Sequence, residues 1–220
     1  MKRQPDPDSL YGAVTDDFLT LLKDFMEEVT LVSRHLKSHN NQPWRRIYIR
    51  SAFASLECTI AYLKAHILVV RKFDPLGLSR SQLRALKEFY TSTKKRGQVR
   101  RVFVHPAFLK DVIFALELFA YACYVPKRVN TSSTGWLALK KFVAIRNRIT
   151  HPKKPRHIKV SDAEFRSSMT GIKWFFDTVS EFQRESLDNL DKQLRGMERA
   201  VKRMRRAERR KMKNVQNNFT

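Results

Sequence analysis

Apolar side chains recur along this chain at intervals of three and four residues. No stretch alternates apolar and polar residues long enough to make a substantial strand. The pattern predicts an all-α chain. A first helix is expected over about Thr15 to Lys37, with Asp16 and Asp17 in the turn where the helix dipole favours negative charge. After the break Ser38-His39-Asn40-Asn41-Gln42-Pro43, a second runs from about Trp44 to Phe73 and stops before the turn Asp74-Pro75-Leu76-Gly77. Arg50, Glu57 and Lys64 lie seven apart on it, among Phe53, Leu56, Ile60 and Leu63, and so form one ionic stripe that needs partners.

Ser79 or Ser81 caps a short helix reaching about Tyr90, and Val102 to Val104 fit a short strand. The most apolar helix spans about Pro106 to Val125; with Val112, Phe114, Leu116, Phe119 and Tyr121 around its surface, it belongs at the centre of a bundle. A loop at Asn130 to Gly135 provides Ser132 or Ser133 as the cap of a helix from about Trp136 to His151, with Leu137, Leu139, Phe142, Val143 and Ile149 as its core side.

Ser161-Asp162-Ala163-Glu164 is a capping box that opens the last helix. Its first apolar face is expected to be Phe165, Met169, Ile172, Phe176 and Val179. Past Glu181 the register shifts, and Leu187, Leu190, Leu194, Met197, Val201 and Met204 form a heptad seam. The division expected is a helical domain over 1–182 and a basic helical extension over 183–220.

Composition sharpens this outline. Lys and Arg number 44 against 21 Asp and Glu, a formal charge of +23, a field that attracts polyanions or acidic membrane surfaces. Five of the eight residues from Lys94 to Arg101 are cationic, which fits either a solvated loop or a phosphate contact. The tail, with Arg203, Arg205, Arg206, Arg209, Arg210, Lys211 and Lys213, fits a dimerising coiled coil, a membrane-surface helix, a nucleic-acid-tracking arm or a frayed end; a helix that helps dimerise and whose tip is partly disordered is the preferred reading. The two cysteines, Cys58 and Cys123, sit in apolar runs and read as buried thiols, and no apolar signal region follows Met1, so a cytoplasmic location is expected. Phe108 to Val125 is broken by Lys110, Asp111 and Glu117 and reads as a core helix, so no transmembrane segment is expected.

The chemistry concentrates in Arg146-Asn147-Arg148-Ile149-Thr150-His151-Pro152. A guanidinium suits a phosphate, a carboxamide can hold a sugar or phosphate oxygen, and an imidazole moves protons near neutral pH. Pro152 forbids normal helix continuation and pushes His151 away from α geometry, which puts the histidine at a helix end. Asn147 and His151, four apart, share a face if the last turn holds. Taken singly, Arg146 also fits an ion pair with Glu57, and His151 a helix C-cap. His35 and His39 are four apart, but no cysteine or carboxylate joins them at a zinc spacing. Phosphate-loop, dinucleotide, zincin and nucleophile-elbow motifs are absent from the sequence, and no cofactor is expected.

Arg146-Asn147-x-x-x-His151 resembles the Arg-polar-x-x-x-His signature of the HEPN superfamily, and the stretch Arg50 to Lys64 is similar to the second helix of many of its members. The resemblance covers roughly Asp16 to Phe182. It implies a HEPN-like bundle of about five helices with the long basic C-terminal helix appended, dimerisation that brings two motifs to one cleft, and cleavage of RNA without a metal in a toxin-antitoxin, stress or defence setting. His151 would deprotonate the ribose 2′-hydroxyl or protonate the leaving 5′-oxygen, and Arg146 would stabilise the phosphorane. Asn147 would position His151 or a phosphate oxygen, while Glu57 and Lys64 would hold Arg146 or contact substrate. Arg50, Arg148 and Lys153 are further candidates for support or RNA binding. RNA, a second copy of the chain and an antitoxin or regulatory protein are the implied partners, with no membrane among them. A non-catalytic module that binds RNA or protein and a basic helical adaptor are the competing readings.

Overall fold

In a computed structural model, residues 7–73, 76–87, 89–93, 99–103, 107–125 and 127–217 are described, with side-chain environments for 16–71, 76–87, 107–125 and 127–205. Helices dominate. They are α1 (Pro7–Ser38), α2 (Gln42–Phe73), α3 (Arg80–Lys87), α4 (Phe108–Ala122), α5 (Thr134–Thr150) and α6 (Asp162–Asn217), with a short 3-10 turn at Pro155–Ile158. One antiparallel ribbon joins β1 (Phe89–Thr93) to β2 (Val99–Phe103), pairing Phe89 with Phe103 and Thr93 with Val99.

The helix starts follow local chemistry. Ser79 is the cap of α3: its hydroxyl accepts from the Gln82 amide while Gln82 accepts from the Ser79 amide. Ser133 caps α5 by accepting from Trp136 N at 3.1 Å. The box at α6 forms as read, Ser161 accepting from Glu164 N and Glu164 from Ser161 N. Three boundaries differ from the sequence reading, the first being that of α1, which begins at Pro7 and not near Thr15. α3 ends at Lys87, because the aromatic and β-branched run Phe89-Tyr90-Thr91 favours extended pairing. The strand expected at Val102–Val104 begins earlier, at Val99, so the end of the basic stretch belongs to β2; residues 94–98 and 104 lie outside the described residues.

α2 is the central element, packing against α1, α4, α5 and α6. Ile49, Ala52, Leu56, Leu63 and Ile67 are fully buried on it. By length and composition Gln42–Arg71 is apolar enough to cross a bilayer, yet 56% of its apolar 18-residue window is buried inside the bundle, as in a core helix. Phe18 of α1 stacks on Tyr62 of α2 at 3.7 Å. Where α4 ends, Asn189 of α6 donates to the carbonyls of Cys123 and Tyr124, satisfying acceptors that a helix end leaves open.

Several core assignments shift. On α5, Leu137 is exposed, and Trp136, Ala138 and Ile145 join Leu139, Phe142, Val143 and Ile149 inside. On α6, Met169 is exposed and the seated face is Ile172, Phe175, Val179 and Phe182. Tyr121 is exposed, so α4 is not buried all round. Cys58 and Cys123 are free but only half-buried; burial pushes both thiols above the usual range, partly offset at Cys123 by a hydrogen bond to Ser186. The division at residue 182 is a change of burial and not of chain path: α6 runs through it unbroken, and Ser186 is its last buried residue among those whose side chains are described, up to residue 205.

α5 and α6 approach most closely at Gly171. A Cβ there would lie 2.6 Å from the Leu139 amide nitrogen and 2.7 Å from the Ala138 carbonyl carbon, so only glycine lets the two backbones meet. Gly196, farther along α6, has nothing within 4 Å of such an atom. Gly171→Ala is therefore expected to lower unfolding free energy by about 1–3 kcal/mol through overpacking, and Gly196→Ala to raise it by about 0.5–1 kcal/mol through helix propensity. Urea denaturation of the two variants against the parent checks both signs.

Candidate functional site

The last two turns of α5 lie across the first half of α2. Arg146 projects from α5 with its guanidinium 4.0 Å from the centroid of the Phe53 ring. Its Nη1 donates to Asn147 Oδ1 at 3.1 Å, and its Nη2 lies 3.9 Å from Glu57 Oε1. The arginine side chain retains 26% exposure, so it is partly open to solvent while it lies over the ring and beside the carboxylate. Three of the sequence candidates thus meet: Arg146, Asn147 and Glu57. Phe53, read from the sequence only as an apolar neighbour, is the platform beneath them.

His151 is the C-cap of α5, with φ −121° and ψ 63°, and its amide donates to Asn147 O at 3.0 Å. The imidazole is exposed. The Asn147 carboxamide oxygen receives the Arg146 guanidinium, so the hydrogen bond found for Asn147 turns it toward the arginine and not toward the histidine that the i, i+4 spacing suggested. Arg50, one turn before Phe53, donates from Nη2 to Ile149 O at 3.0 Å. It closes a carbonyl that the helix end leaves without an intrahelical partner, and so holds the turn from which His151 departs.

A second set of contacts fixes the segment after His151. Arg148 donates to the carbonyls of His157 and Lys159 and to Glu164 Oε1 at 2.8 Å. Gln42 forms a two-way bond with Val160, donating to its carbonyl at 2.8 Å and accepting from its amide at 2.7 Å. Arg45, buried at 7% exposure, donates to Val160 O at 2.9 Å and Asn40 Oδ1 at 2.7 Å and pairs with Asp162. The start of α2 and the end of α5 therefore clamp one loop. Sequence reasoning missed Gln42 and Arg45; a polar pair at a helix start gives no sign of the carbonyl it will meet 115 residues or more away.

Two candidates move out of the site. Lys64 is 2% exposed and bonds Asp111 Oδ2 of α4 at 2.6 Å, which places its ammonium in the core and not at the surface. It lies seven residues, roughly 10 Å, along α2 from Glu57. The expected ionic stripe is thus three unlike sites: a helix-end cap at Arg50, a surface partner at Glu57 and a core ion pair at Lys64. Arg148 serves the loop. Lys153 is exposed beside it, its amide donating to His157 Nδ1 at 3.2 Å. His35 stacks on Trp44 at 4.6 Å, and among the described residues no group of three or more His, Cys, Asp and Glu side chains gathers as a metal site.

No protein-family model matches this chain, and no curated protein or solved structure matches it either. The site therefore stands on its own geometry. Its surroundings are cationic, with Arg50, Arg146, Arg148, Lys153 and Lys154 against Glu57 and Glu164, a balance that suits a polyanion.

The Lys64 assignment is directly testable. Asp111→Ala removes a carboxylate partner from a buried ammonium and is expected to cost about 3–5 kcal/mol, whereas Lys64→Met combined with Asp111→Leu is expected to lie within about 1–2 kcal/mol of the parent. Chemical denaturation of the single and double variants measures the difference, and a double variant as unstable as the single one would contradict the pairing.

Proposed function

We propose that the chain is a metal-independent endoribonuclease of HEPN type, cutting RNA to leave 2′,3′-cyclic phosphate ends in a toxin-antitoxin, stress or defence role. The observation that supports it best is the pairing of unlike groups at the end of α5: a partly exposed guanidinium, lying over Phe53 and beside Glu57, and an exposed imidazole at the helix's C-cap. In the reaction, the ribose 2′-oxygen bonds to the adjacent phosphorus as its proton passes to a base, and the bond from phosphorus to the 5′-oxygen breaks as that oxygen takes a proton from an acid. His151 serves as one of these. In the HEPN reading, a second copy of the chain brings His151 of its own motif to the same cleft for the other. Arg146 donates to the phosphorane oxygens, whose charge grows in the transition state. Arg50 and Arg148 act as positioning residues for the segment that carries His151, and Lys153 and the net positive charge draw RNA to it.

One observation favours the second reading, a non-catalytic HEPN module that binds RNA or a protein partner. Arg146 is already engaged by Phe53, Asn147 and Glu57, as a residue kept for packing would be.

The two readings separate on variant behaviour. Incubated with mixed tRNA, rRNA and mRNA in EDTA, the parent is expected to produce fragments with 2′,3′-cyclic phosphate ends. Arg146→Ala and His151→Ala are expected to lose about 10²–10⁴-fold in cleavage rate with RNA affinity nearly intact. Loss of binding and cleavage in equal measure, or intact RNA with the parent at every concentration, would transfer the assignment to the binding module.

A further inference from the structure

Beyond Ser186, α6 carries an apolar stripe that no described residue covers. Leu187, Leu190, Leu194, Met197, Val201 and Met204 are 66, 51, 53, 64, 40 and 61% exposed. Their intervals of three, four, three, four and three residues are the a and d positions of a heptad, the narrow pattern of a helix that meets one other helix. A helix lying on a membrane presents a broader apolar face, and here Asp191 and Glu198 stand immediately beside Leu190 and Met197, where anionic lipid would repel them. At its start the stripe opens into an apolar groove of about 520 Å³, whose walls include Tyr62, His66, Phe119 and Cys123 as well as Leu187 and Leu190.

We propose that a second copy of α6 occupies this stripe, running antiparallel, with Leu187 meeting Met204 of the other copy, Leu190 meeting Val201 and Leu194 meeting Met197. Each copy contributes both members of every pair, so the arrangement closes as a two-fold with six layers. It leaves no a or d side chain of the stripe unmatched. The stripe alone is short for a free coiled coil, at two and a half heptads; the groove lengthens it, because chain past Met204 of the second copy runs over Ser186 and Gln183 at the groove's rim.

Charge sets the direction. Residues 181–198 carry five acidic and three basic side chains, and residues 199–213 carry one acidic and nine basic. Glu181 and Glu185 already bind Lys127, and Asp191 lies 2.7 Å from Arg195 on its own helix, which leaves the first half near neutral. A parallel pair would set two nine-cation segments side by side. The antiparallel pair places their centres roughly 30 Å apart, several times the Debye length of about 8 Å at physiological ionic strength. This pairing stands on the stripe and its charges. It sets the two starts of α6, and the His151 side chains beside them, roughly 100 Å apart along the axis, so the copy that completes the cleft in the proposed reaction is a different one, brought in on RNA, and the two proposals fail independently.

The full chain tests it in two steps. Sedimentation equilibrium is expected to give twice the mass of 25.9 kDa for the parent and the single mass for Leu194→Glu and Met197→Glu, with helical circular dichroism unchanged because both side chains are exposed in the monomer. Spin labels on Arg199→Cys or Arg206→Cys, each in a Cys58→Ser, Cys123→Ser background, then report direction. The two copies of residue 199 are expected to be offset along the axis by about 10 Å and those of residue 206 by about 30 Å, whereas a parallel pair gives similar distances at both sites. A monomeric parent at tens of micromolar, a dimer indifferent to both glutamates, or equal label distances would each overturn the proposal. So would vesicles of phosphatidylserine and phosphatidylcholine that bind the parent as a monomer and bury both label sites.

Discussion

The close approach of α5 and α6 at Gly171 is the constraint on which the rest of this architecture depends. Backbone there passes within 2.6 to 2.7 Å of where a side chain would begin, against Ala138 and Leu139. Contact at that distance seats Leu139, Phe142 and Ile149 in the core beside Ile172, Phe175 and Val179. It also fixes the rotation of α5 about its own axis. Were α5 turned by a fraction of a residue, Arg146 would leave the Phe53 ring and Arg148 would leave Glu164. A helix–helix contact made of main chain is thus what aims two arginines, two positions apart, at different tasks.

Those tasks divide the cationic end of α5 into a rigid part and an available part. Arg148, Gln42, Arg45 and Arg50 spend their donors on backbone carbonyls, which suits arginine's forked geometry and closes a loop that has little apolar packing of its own. What stays open to a ligand is the exposed part of Arg146, the His151 ring and the exposed lysines beside it. In the proposed reaction, a proton-transfer group needs a fixed position more than a buried one. The loop clamp supplies that position while leaving the imidazole in solvent.

α6 has two characters on one continuous helix. Up to Ser186 its apolar side chains, Met169 excepted, pack on the bundle, and beyond it an apolar stripe of the same helix stays bare while positive charge accumulates. Hydrophobic burial and charge repulsion therefore pull the same segment in different directions: the stripe favours a neighbour, and the cationic end restricts how that neighbour can be oriented. Association through such a segment depends on salt as well as on concentration.

Sequence by itself determined the elements whose causes are local. The caps at Ser79, Ser133 and Ser161, the helix end at His151 before Pro152 and the heptad stripe from Leu187 to Met204 are all set by neighbours within a few residues. It also brought out Arg146, Asn147 and Glu57 as candidates that belong together. Tertiary structure alone decided which residues on a shared face share an environment. Arg50, Glu57 and Lys64 have one periodicity, yet α5 ends over the first, passes near the second and leaves the third to α4. The same holds for Phe53, an apolar residue by pattern whose ring became a cation's platform, and for Arg148, a candidate ligand whose donors went to the loop. Helical spacing says which side chains point the same way; what they meet depends on another part of the chain, and no local pattern records it.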